Sequence, residues 1–157
     1  MRRACCAGAD GLSGLKVRDA TLADSTAIAS LSEQLGPAPS TVAVESTLRE
    51  ILASPGHRAL VAEDASGRTV GWVQIFRKAL LQTGPYAEIS GLVVDAAHRR
   101  TGVGRALLAA AEDWCRSNSL RSIRVRTNTL REDAAAFYAA AGFDLQKTQR
   151  VFSKELK

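Results

Sequence analysis

Aromatic residues make up only 5% of this 157-residue chain, and that scarcity decides how its net charge of +5 is read. A nucleic-acid binder interleaves aromatics with a basic stripe. Here the basic residues occur along the whole chain, with one local cluster at Arg99, Arg100 and Arg105, and no recognition-helix motif is present. The cluster suits a compact polyanionic ligand, whose local concentration a modest positive charge raises. Cysteine is equally sparse. Cys5, Cys6 and Cys115 are the three, and no spacing resembles a zinc or redox motif, so neither metal nor disulfide framework is expected and a reducing cytoplasm fits. No apolar run is long enough to span a bilayer. The start, Met1-Arg2-Arg3-Ala4-Cys5-Cys6, lacks the apolar core of a signal peptide. The expectation is a cytoplasmic protein with a flexible extension over residues 1–13 and one domain over 14–157, a size that can bury a substantial core unaided.

What is present reads as a mixed α/β chain. Leu15 and Val17 alternate with Lys16 and Arg18 as a short strand. Ile28, Leu31 and Leu35 form a helical stripe that Gly36-Pro37-Ala38-Pro39 stops. Ser40 or Thr41 caps a second helix carrying Val44, Leu48, Ile51 and Leu52. Strands are predicted over 58–63, 70–76 and 87–94, the first two joined by Asp64-Ala65-Ser66-Gly67-Arg68. Residues 102–116 give the strongest helix, with Leu107, Leu108, Ala111, Trp114 and Cys115 on one face. A strand over 122–127 follows, then a helix over 132–141 ended by Gly142, and a terminal strand pair from Phe143 through Val151 and Phe152. His57 is expected in a solvated loop.

The chemistry concentrates where a buried strand runs into His98-Arg99-Arg100-Thr101-Gly102-Val103-Gly104 and a helix begins at once. Unpaired N–H groups and the dipole at such a helix start favour an anion. Gly102 and Gly104 let phosphate oxygens approach the main chain, and Arg99, Arg100 and Arg105 add charge-assisted hydrogen bonds. A Walker loop is excluded because its Gly-Lys-Ser/Thr ending is missing. A dinucleotide fingerprint is excluded because Leu107 stands where its third glycine would be. His98 is expected to hydrogen-bond within the loop or to ligand rather than act as a base.

Arg99-x-x-Gly102-x-Gly104 resembles the coenzyme A signature of the GCN5-related N-acetyltransferase (GNAT) superfamily. A second segment, Asn128 followed by Phe137-Tyr138 and Gly142-Phe143, resembles that family's helix and terminal strand, and the likeness covers about residues 15–156. The resemblance implies an α/β fold with a mostly antiparallel, splayed central sheet flanked by helices. It implies acetyl-CoA as cosubstrate, no metal, and an amine acceptor that attacks the thioester directly in a ternary complex. Backbone groups of Leu92, Val93 and Val94 would bind the pantetheine arm beside a bulge. Arg99, Arg100, Thr101, Gly102, Val103, Gly104 and Arg105 would hold the pyrophosphate, and Asn128 would contact pantetheine from the next strand.

Tyr138 is the candidate general acid for the departing thiolate, its competing role being to pack with Phe137. Glu88, fourteen positions before Gly102 as in several family members, is the candidate general base. A salt-bridged strand carboxylate is the equal alternative. Cys115, on the helix stripe, is expected to be a buried small apolar residue rather than a nucleophile. Partners are acetyl-CoA and an amine, with no nucleic acid and no membrane; a homodimer stands open. The competing function is a catalytically silent acyl-CoA-binding or sensing module on the same fold. Residues 33–45 and the turn near Gln149 and Arg150 are expected to line the acceptor site, and neither carries the acidic cluster a polyamine or aminoglycoside would require.

Overall fold

The computed structural model describes residues 13–157, so Cys5, Cys6 and all but the end of the expected extension lie outside the described residues. The chain forms two compact units, the first ending at Val125 and the second comprising Arg126–Lys157.

The first unit is a five-stranded sheet in the order β1-β2-β3-β4-β5. Its strands are β1 (Lys16–Asp19), β2 (His57–Glu63), β3 (Thr69–Leu80), β4 (Gly84–Val94) and β5 (Ile123–Val125). The first four pair antiparallel, and β5 joins β4 in parallel. Three helices accompany it: α1 (Ser25–Ser32), α2 (Thr41–Ala53) and α3 (Val103–Ser117). Gly36 and the prolines after it separate α1 from α2. The α2 start is capped as the sequence predicts, with Ser40 Oγ accepting from the Ala43 N–H at 3.1 Å.

Alternation along β3 sorts the two faces of the sheet. Val73 and Ile75 are fully buried on the face where α3 lays down Val103, Leu107, Leu108, Ala111 and Cys115. On the other face Trp72 packs with Ile28 of α1, Leu48 and Ile51 of α2, and Ala59 of β2. The Asp64 carboxylate closes the β2–β3 turn, accepting from the N–H groups of Ser66 and Arg68 and from Ser66 Oγ. His57 does not lie in a solvated loop. It begins β2 opposite Phe76 and stacks on that ring at 5.3 Å, because strand pairing brings the two aromatics to one face.

The second unit holds α4 (Glu132–Ala140), ended by Gly142 at φ +89° as its position predicts. The terminal strand pair expected from Phe143 is not formed. Residues 143–157 carry no strand, and Leu145, Val151, Phe152 and Leu156 are exposed. A strand exists only where a partner edge takes its N–H and C=O groups, and local apolar content cannot supply that edge.

One polar knot fixes the start of α1 to the sheet. The buried Asp24 carboxylate takes Arg18 Nη1 at 2.8 Å and Nη2 at 2.9 Å, together with the Thr21 N–H at 2.8 Å. The Arg18 Nε also pairs with Glu63. Burial alone would push the Asp24 carboxyl up, but the Arg18 guanidinium and the Thr21 N–H outweigh it and hold the carboxyl below its ordinary value. Because folding lowers this value, the stabilisation is complete above the unfolded carboxyl value and is lost as pH falls through the folded one. Asp24→Asn is expected to cost about 3 kcal/mol at neutral pH. The cost should shrink below about pH 4. Urea unfolding of both proteins across that range checks it, and a pH-independent difference would assign the loss to packing.

Candidate active site

The geometry begins with a register shift. Gln74 of β3 faces Gly91, but Ile75 faces Ile89, so Ser90 is the extra residue of a bulge in β4. On its other edge β4 pairs with β5 only over Ala87, Glu88 and Ile89. β5 ends at Val125, opposite Ile89, and Leu92, Val93 and Val94 pair with β3. The bulge is the one that the family resemblance implies beside these residues.

β4 leads straight to the phosphate-type loop. Asp95 starts a 3-10 turn, Ala96–His98, its carboxylate accepting from the Ala97 N–H at 3.2 Å. Thr101 Oγ1 donates to the His98 carbonyl at 2.6 Å. The His98 ring stands within 3.7 Å of the Asp64 carboxylate and 3.5 Å of the Asp95 carboxylate, with Nδ1 buried and without a hydrogen-bond partner among the described residues. Arg100 at φ +61° and Gly102 at φ +95° are both left-handed. The glycine adopts that conformation without strain, whereas a β-branched residue would not. No side chain caps α3 at Gly102, which leaves its first-turn N–H groups available to an anion. Arg99 reaches across to Gln34 Oε1 at 2.6 Å.

Glu88 lies on the α1/α2 face, opposite Phe76, and is 7% exposed. Its carboxylate accepts from Lys78 Nζ at 3.3 and 3.5 Å and from the Tyr86 hydroxyl at 3.4 Å. Arg124, its register partner on β5, lies 4.0 Å from the Tyr86 ring centroid. A carboxylate this buried is sustained by such partners.

In the second unit, Tyr138 is 8% exposed and sits edge-on to Phe137 and Phe143 at 5.1 and 5.3 Å. Burial pushes its phenol up to about 12. Asn128 follows β5 rather than lying on it, and its Oδ1 accepts from the Leu130 N–H at 2.9 Å. Cys115 is buried as expected, and burial, with Glu112 adding to it, pushes its thiol up to about 11. That suits an inert core residue.

The α1/α2 face also holds a cavity of about 220 Å³. Pro39, Ala43 and Val44 belong to the segment expected to line the acceptor site, but Ile28, Thr47, Trp72 and Gln74 do not. Trp72 and Gln74 carry no local motif; only pairing with Val93 and Gly91 puts them beside the bulge.

A bulged strand that feeds an arginine-rich helix start is the arrangement that GNAT sequence motifs imply. The sequence profile of the Acetyltransferase (GNAT) family matches residues 27–143. The chain is 33% identical over 147 residues to glucosamine 6-phosphate N-acetyltransferase 1 of Oryza sativa subsp. japonica, covering 89% of this chain and 87% of that one. It is 32% identical over 139 residues to aminoglycoside N(6')-acetyltransferase type 1 of Stenotrophomonas maltophilia, covering 86% and 88%. The crystal structure of an aminoglycoside antibiotic 6'-N-acetyltransferase from Acinetobacter baumannii shares the fold, with a TM-score of 0.81 at 18% identity over 92% of this chain and all of that one. The chain belongs to the GNAT acetyltransferase family. Within it, the chain is an acetyl-CoA-dependent N-acetyltransferase. Among the described residues no helix is long and apolar enough to cross a membrane.

Gly102→Val is expected to abolish acetyl-CoA binding while the chain stays folded, since a branched side chain would strain the left-handed residue and crowd the helix start. Calorimetric titration reads the affinity, and circular dichroism the fold. Retained affinity would reduce the loop to a turn.

Proposed function

We propose that the chain carries an acetyl group from acetyl-CoA directly to a primary amine of a small molecule or protein, in a ternary complex without an acetyl-enzyme. The observation that carries this is the uncapped start of α3 just beyond a strand that carries a bulge and that β5 follows for only three residues. Arg99, Arg100, Thr101, Gly102, Val103, Gly104 and Arg105 are assigned to the pyrophosphate. Leu92, Val93 and Val94 are assigned to pantetheine through their main chain, and Asn128 to pantetheine through its carboxamide. Residues 14–157 work as one catalytic domain in this reading, in the cytoplasm, with neither nucleic acid nor membrane as partner. The buried thiol of Cys115 supports direct transfer, because a nucleophile would need to be exposed and ionisable.

Two residues are assigned to proton movement. Glu88 accepts the amine proton, directly or through water. Tyr138 serves the leaving thiolate. A thiol holds its proton to about 8.5, and the Tyr138 phenol to about 12, so the phenol stays protonated at working pH. It stabilises the thiolate chiefly as a hydrogen-bond donor, and complete transfer to sulfur is uphill. The relatives are named for aminoglycosides and glucosamine 6-phosphate, so sugar amines belong in the acceptor panel.

Tyr138→Phe is expected to lower turnover about 10²-fold with little change in acetyl-CoA affinity, because the ring still packs. Steady-state rates with a calorimetric affinity test this, and full activity would remove the tyrosine from the mechanism. Glu88→Gln is expected to lower turnover most at moderate pH, where the amine is protonated, and to recover part of the rate as pH rises and free amine forms. A pH–rate profile decides it. A loss that is independent of pH would leave Glu88 as the structural partner of Lys78.

A further inference from the structure

The cavity on the α1/α2 face has a chemistry that selects among amines. Its lining includes the hydrocarbon of Ile28, Val44, Leu48 and Ile51 and the Trp72 ring, and among the described residues no ionisable side chain takes part. An apolar cavity of about 150 Å³ holds a benzene ring, and this one, at about 220 Å³, takes a ring with a short arm. Its floor has a direction. Gln74 pairs with Gly91 at the bulge, and no hydrogen bond of its carboxamide is found among the described residues. Trp72 lies so close over Gly91 that a Cβ there would stand 2.7 Å from the ring, so the indole presses on the residue just before Leu92. The other polar side chains of the lining, Ser32 and Thr47, lie on α1 and α2, where Ser32 Oγ donates to the Ile28 carbonyl at 2.6 Å, so Gln74 is the polar group at the bulge end of the cavity. Glu88 shares this face of β4.

Resting on the acetyltransferase reading, we propose that this cavity is the acceptor site and that its acceptor is a primary amine on an aromatic or branched aliphatic body. The body fills the space against Trp72 and Val44, and the amine end lies at Gln74. Sites of this kind take their affinity from apolar walls and their orientation from a few polar groups. A polycation finds no counter-charge there. An aminoglycoside or polyamine would have to exchange its hydration for hydrocarbon, which is costly for charged groups. The substrate class therefore differs from that in the names of the aminoglycoside relatives.

The test uses 2-phenylethylamine, spermidine and kanamycin as probes. Trp114→Phe leaves Trp72 the sole tryptophan, so its emission reports occupancy of the cavity without turnover. 2-Phenylethylamine is expected to change Trp72 emission saturably, and to be acetylated with a KM at least tenfold below those of spermidine and kanamycin. Val44→Phe, which fills the cavity, should raise that KM at least tenfold and leave the acetyl-CoA dissociation constant within twofold. Should Val44→Phe fail to fold, Ala43→Leu at the rim applies the same test with a smaller load. No Trp72 response to 2-phenylethylamine overturns the assignment, as does a lower KM for either polycation or an unchanged KM in a folded filled variant. Failure of the acetyltransferase reading looks different: acetyl-CoA would not be consumed with any amine, while the emission titration would still decide whether the cavity binds the aromatic one.

Discussion

The extra residue in β4 is the constraint on which the first unit's chemistry depends. Inserting Ser90 between the Ile89 and Gly91 pairings shifts the register against β3, and β5 follows β4 for only three residues. A continuous ladder would consume the outer N–H and C=O groups of Leu92, Val93 and Val94. β5, which ends opposite Ile89, takes none of those groups. β4 then runs directly into the Arg99–Gly102 turn. The bulge therefore couples a strand edge suited to an amide-bearing arm with a helix start suited to phosphate, and it does so inside one stretch of chain.

Charge follows that division of labour. Arg99, Arg100 and Arg105 cluster at the loop, while on the α1/α2 face the buried carboxylates are paired: Asp24 with Arg18, and Glu88 with Lys78 and Tyr86. Buried ions of this kind hold geometry more than they add stability, because desolvation offsets most of their attraction. The cavity on this face is free of charge among its described lining.

The regularities of the chain fall into those with a local cause and those without. Gly102 after two arginines is legible because a left-handed residue at a helix start has few alternatives to glycine, and its φ of +95° follows. Ser40 at the α2 cap and the Asp64 turn are legible for the same reason: each side chain satisfies backbone groups within four residues. The stripe on α3 and the burial of Cys115 come from helical periodicity alone. These local causes place the phosphate-type loop and its flanking elements to within a few residues.

What the sequence could not determine depends on contacts between distant residues. Trp72, Gln74 and Gly91 meet because register, rather than spacing, brings them together, and nothing near Trp72 in the chain announces a cavity. His57 stacks on Phe76 for the same reason. Residues 143–157 show the converse: their apolar residues suggest strands, but a strand is completed by another strand's hydrogen-bonding edge, and local pattern cannot supply one. By itself the sequence determined the family, the phosphate-type loop and the identity of the candidate proton carriers, all of which rest on short-range backbone chemistry. Tertiary structure alone decided the ion pair that holds Glu88 and the apolar chamber beside the bulge, because both are made by strands and helices whose side chains meet only after folding.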